Sequence, residues 1–97
     1  MVKPYSQTSL AKGIIRRVFE SSVDADELVW HQDHNTRTIK VLEGTGWKVQ
    51  LEDSLPKEIF KNDTFTIEAE QYHRIIKGET DLVLEITEPN IKEKQNG

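Results

Sequence analysis

The stretch VWHQDHNTRTIKVLEG, residues 29–44, gathers two histidines, an aspartate and an arginine ahead of an alternating apolar run. Side chains two apart on a strand leave the same face, so a strand over 28–33 aims Val29, His31 and Asp33 at one point and turns Trp30 the other way. His34, Asn35 and Thr36 carry turn chemistry, and a second strand over 37–42 places Arg37, Ile39 and Val41 in one phase. Residues 43–46 then read as a hairpin turn. His34, three residues on from His31, falls on the opposite face of a regular strand and reads as a turn histidine facing solvent.

Outward from this stretch the period-2 pattern continues. Trp47, Val49 and Leu51 alternate with Lys48, Gln50 and Glu52, the clearest half-buried strand of the chain. Leu55-Pro56 breaks it, residues 57–60 form a short strand, and Lys61-Asn62-Asp63 turns into a strand over 64–67 with Phe65 and Ile67 inward. A polar connection over 68–71 leads to a strand over 72–76, and Lys77-Gly78-Glu79-Thr80 makes a tight turn into 81–87, where Leu82, Leu84 and Ile86 share a face. Before the central stretch, the β-branched and aromatic content of 12–23 gives a further strand, and 24–27 a turn. Residues 1–11 are polar with an early proline and read as an arm that orders only on a partner. Pro89 ends the pattern, and 89–97 read as a solvated tail. Short strands at intervals of about eight to twelve residues, without a convincing helix, make an all-β domain over 12–88: a small antiparallel β-barrel or jelly roll.

Composition bounds the function. The 97 residues carry a formal charge of −4, with 31% charged and 35% hydrophobic residues and no cysteine. No Lys/Arg cluster offers a face to a polyanion, so nucleic acid is not an expected partner. Thiol nucleophiles, disulfides and Cys-ligated metals are excluded. No apolar run approaches the roughly 18 residues that cross a bilayer, and the N-terminus lacks a basic-then-apolar leader pattern, so no membrane partner and a cytoplasmic location are expected. A core this small gains from pairing, so a homodimer is expected, with Trp30 suited to the dimer face.

The polar spacing resembles that of the cupin family, whose two motifs are written G-x5-H-x-H-x3,4-E-x6-G and G-x5-P-x-G-x2-H-x3-N. The first falls on His31-x-Asp33-x3-Arg37-x6-Gly44, with Ala25 at the opening glycine. The second falls on Asn62-x5-Glu68-x-Glu70-x2-His73, with Lys77 at the closing asparagine. The resemblance implies a small jelly roll and a site in which His31, Asp33 and His73 occupy three ligand positions and Arg37 replaces the glutamate. Two histidines and one carboxylate suit Fe(II) first, with Zn, Ni or Mn as alternatives.

Arg37 leaves three arrangements open. A guanidinium about 6 Å from a divalent ion is repelled by roughly 5 to 6 kcal/mol at an effective dielectric near 20, which opposes metal binding. Paired with Asp33 as a buried ion pair, it makes a site that needs no metal. Turned to the mouth, it orients an acidic substrate while the triad holds the ion. The expected function is binding of a small polar or anionic ligand in the barrel, with or without a divalent metal, and with oxygen-dependent chemistry if the protein is a metal enzyme. The alternatives are a metal-free binding or sensory module and a structural protein with a filled barrel. Glu68 and Glu70, on the loop before His73, are candidates for a general base at the mouth.

Overall fold

The computed structural model describes residues 3–88, so the segment 89–97, expected to be a solvated tail, lies outside the described residues. Eight strands run in chain order: β1 Ser6–Ala11, β2 Ile14–Phe19, β3 Arg37–Glu43, β4 Lys48–Leu51, β5 Lys57–Glu58, β6 Thr64–Ile67, β7 His73–Ile76 and β8 Leu82–Thr87. They form a five-stranded sheet in the order β1-β2-β8-β3-β6 and a three-stranded sheet in the order β5-β4-β7, with every pairing antiparallel. The all-β jelly-roll architecture expected from the sequence is the one observed.

The core is built by alternation. On β8, Leu82, Leu84 and Ile86 are buried while the residues between them are half-buried, and the register sets Leu84 beside Val41 and Ile86 beside Ile39. Opposite them the smaller sheet contributes Trp47 and Val49, with Ile59 from the loop after β5. Trp47 is fully buried, and its indole N–H donates to the Thr80 carbonyl at 2.7 Å, so its one polar group is satisfied. Gly78 makes that position possible: a Cβ there would lie 2.4 Å from Trp47 Cδ1 and 2.5 Å from the Thr45 carbonyl oxygen.

Three expectations change. Ser6–Ala11, read as part of an arm, is strand β1, hydrogen-bonded along β2 with Gln7 opposite Arg17. All six of its residues are exposed, so the backbone ladder rather than an apolar face holds it, and no hydrophobic period announces it. The strand expected over 28–33 is reduced to a single antiparallel bridge, His31 with His73, and residues 25–27 form one 3-10 turn capped by the Asp24 carboxylate. The strand expected over 12–23 narrows to β2, because Gly13 takes a positive φ of 78° in the turn from β1.

Candidate metal centre

The bridge between His31 and His73 builds the site. Each donates its backbone N–H to the other's carbonyl, at 3.0 and 2.9 Å, which makes them a hydrogen-bonded antiparallel pair whose side chains stand on the same face. Their rings lie 4.2 Å apart, centre to centre. Asp33, two residues past His31, returns to that face. Its segment is tied down by the Glu70 N–H donating to the Asp33 carbonyl at 2.7 Å and by the Gln32 amide donating to the Glu70 carbonyl at 2.7 Å. His31, Asp33 and His73 converge: one ligand atom from each lies within 4.8 Å of the others.

Backbone carbonyls set the histidine tautomers. Nδ1 of His73 is 2.9 Å from the Gln71 carbonyl oxygen and Nδ1 of His31 is 3.2 Å from that of Val29. A carbonyl only accepts, so each Nδ1 carries the proton and each Nε2 keeps its lone pair. Burial pushes the His73 pKa below its ordinary value; the Gln71 hydrogen bond and Asp33 act in the opposite direction. Burial thus favours the neutral form of His73, in which Nε2 carries the lone pair, and that nitrogen lies 3.3 Å from Asp33 Oδ2. That oxygen is buried and makes no hydrogen bond, although Arg37 Nη1 is also near it, at 3.5 Å. Two acceptors facing each other without a proton between them are the arrangement a cation resolves. The donor set fits a divalent metal.

Arg37 stands on the first residue of β3, beside Glu88, which follows the end of β8. Its Nε donates to Glu88 Oε2 at 2.5 Å. Glu88 supplies the guanidinium with a counter-charge that weakens its repulsion of a divalent ion, and Asp33 is only its longer, non-hydrogen-bonded contact. Glu88 was not singled out from sequence, because its place beside Arg37 depends on the β3–β8 register. His31, Asp33 and Arg37 line a cavity of about 270 Å³, whose wall includes Phe19, Leu28 and Ile75. His34 stays outside this group, its side chain 93% exposed and 3.2 Å from the Glu70 carboxylate. Glu68 is exposed and contacts the Thr36 hydroxyl at 3.5 Å, and Tyr72 is exposed. Trp30 is partly exposed beneath the Arg74 guanidinium, 5.0 Å from its ring centre.

No family model matches the chain, and no curated relative matches it by sequence. Solved structures do. A cupin superfamily protein from Desulfitobacterium hafniense aligns with a TM-score of 0.67 at 18% identity, over 86% of this chain and 75% of that one. A cupin domain from Bordetella pertussis aligns at 0.62 and 13% identity, over 91% and 96%. The Fe(II) form of HppE in complex with substrate aligns at 0.64 and 13% identity over 91% of this chain, which spans 54% of that enzyme's length. At these identities the likeness concerns the fold. With its antiparallel sheets and these neighbours, the chain is a small cupin-fold protein.

Proposed function

We propose that the protein binds a small acidic molecule in the cavity beside a divalent metal held by His31, Asp33 and His73. The observation that carries this reading is the buried, unpartnered Asp33 Oδ2 set against the lone pair of a histidine whose other nitrogen is already committed as a donor. Two neutral imidazoles and one carboxylate leave positions open around an ion and suit Fe(II), with Zn, Ni and Mn as competitors. HppE, a neighbour in fold, is an Fe(II) protein. When bound, the ion supplies Lewis acidity toward an oxygen of the ligand.

The chain's own residues do the rest. Gln71 and Val29 carbonyls orient the imidazoles, and Arg37, bridging Asp33 and Glu88, holds the carboxylate side of the site. Arg37 also borders the cavity and takes part in orienting an acidic ligand there. Phe19, Leu28 and Ile75 give the cavity an apolar wall that favours a partly apolar ligand over a highly hydrated one.

The test is the metal content of tag-free wild type and His73→Ala, purified in parallel and offered Fe(II), Zn and Ni. Near-stoichiometric metal in the wild type and its loss in the variant are expected. Equal, substoichiometric metal in both removes the reading. A metal-free binding module is the second reading, favoured by the 3.5 Å contact between Arg37 and Asp33.

A further inference from the structure

The cavity holds a second arginine that the metal site does not use. Arg17 occupies an inward position of β2 between Ile15 and Phe19 and is only 9% exposed. Gln7, its cross-strand neighbour on β1, accepts a hydrogen bond from Nε at 2.9 Å, and the guanidinium carbon lies 3.9 Å from the centre of the Tyr5 ring. The amide and the ring fix the plane of the group, but neither neutralises it. Among the described residues no carboxylate is within ion-pairing distance of Arg17, whereas Arg37 has both Glu88 and Asp33.

A buried cation without a directly paired counter-charge is costly, and native interiors pair such groups or present them to a ligand. Burial and, less, Arg37 push the Arg17 pKa below its ordinary value, while Tyr5 and the more distant Asp33 and Glu88 act the other way. Arg17 and Arg37 balance Asp33 and Glu88 in charge, a divalent ion in the adjacent site would make the cavity positive, and Glu27 lies at the exposed rim. The space has the share of about nine liquid waters. That admits a small molecule with a short apolar body against Phe19, Leu28 and Ile75.

We propose that Arg17 is the anion-recognising residue of this cavity, binding the carboxylate of a small, partly apolar organic acid through the guanidinium edge that Gln7 leaves open. A planar fork presents two parallel donors to a carboxylate, and the Tyr5 ring and Gln7 amide hold that fork in one orientation before the ligand arrives. The inference rests on reading the cavity as a site for an acidic molecule, and it divides the arginines: Arg37 chiefly keeps the site's own carboxylates in place, and Arg17 receives the ligand's.

The experiment uses 4-fluorobenzoate as the probe, followed by fluorine NMR, with metal-stripped and zinc-loaded full-length protein. Wild type should bind it in both forms, and Arg17→Gln should weaken binding by about tenfold or more, because a charged hydrogen-bond donor is lost. The neutral 4-fluorobenzamide should bind wild type no better than the carboxylate binds the variant. In the wild type, the Arg17 Nε–H signal should move as the probe saturates the site, which keeps the test decisive if Arg17→Gln does not fold. Equal affinity in the folded variant, an unmoved Arg17 signal at saturation, or no binding by wild type in either form overturns the inference. Metal content measured on the same samples separates the two ideas. A wild type that holds no metal but needs Arg17 for the carboxylate removes the metal and keeps Arg17; one that holds metal and ignores Arg17→Gln does the reverse.

Discussion

Two parts of the same interior handle burial in opposite ways. Around Trp47, Leu82 and Val41 every inward side chain is apolar or internally satisfied, and all three residues are fully buried. Around His31, Asp33 and His73 the inner face carries an unpartnered carboxylate oxygen beside an imidazole, and Arg17 lies nearby with no carboxylate at ion-pairing distance among the described residues. The first part has no requirement that its own atoms leave open. The second leaves such a requirement open, and on the proposed reading that difference separates the residues that stabilise the fold from those that bind a ligand.

Substitutions can break this contrast, and the largest effect belongs in the core. Trp47→Ala should cost about 3 to 5 kcal/mol in denaturant unfolding, since it opens a cavity and leaves the Thr80 carbonyl without its donor. Whatever folded protein remains should still take up metal. Next, Arg37→Met leaves Glu88 half-buried without its hydrogen-bonded partner and should cost about 3 kcal/mol. A loss under about 1 kcal/mol would show that the pair is solvated and contributes little.

A pH profile sharpens the contrast further. The folded His73 pKa lies below the unfolded value near 6.5, so at higher pH neither state takes up the proton. As pH falls below about 6.5 the unfolded chain binds the proton first, and stability declines until the folded pKa is reached. His73→Gln should flatten that acid limb of the metal-free protein, measured by thermal unfolding. The smallest effect concerns Glu70, whose φ of 66° lies in the left-handed region. Glu70→Gly relieves that strain but gives up chain entropy and an exposed pairing with His34, so stability should change by less than about 1 kcal/mol.

The sequence made the apolar half of the interior readable. Leu82, Leu84 and Ile86 alternate on one strand, and Trp47 with Val49 on another, because burial on one face imposes a period of two. The His31, Asp33 and His73 group was also legible, through same-face spacing for the first two and motif spacing for the third. Strand β1 was not, since all of its residues are exposed and hydrogen bonds leave no hydrophobic trace. Glu88 escaped because adjacency across β3 and β8 is a matter of register. Arg17 did leave a signal: it shares the phase of Ile15 and Phe19, and an arginine in an inward phase is itself a pointer to a buried charge.

Asn62 and Glu70 take a turn conformation that usually favours glycine. Both stand where the cupin motif places glycine, and both keep a positive φ, 77° and 66°. Local contacts support this geometry: the Asn62 N–H donates to the Val41 carbonyl at 2.7 Å and the Glu70 N–H to the Asp33 carbonyl at 2.7 Å. The second of these contacts also positions the segment that carries Asp33, so a turn residue helps to place a ligand candidate.

The most direct measurement is a crystal structure of Fe(II)-loaded protein, prepared without oxygen, with anomalous data collected on both sides of the iron edge. The account predicts one iron peak bonded to the Nε2 atoms of His31 and His73 and to an Asp33 oxygen, with Arg37 still on Glu88. No peak at that point, with Asp33 drawn into a direct hydrogen bond to Arg37, would contradict it.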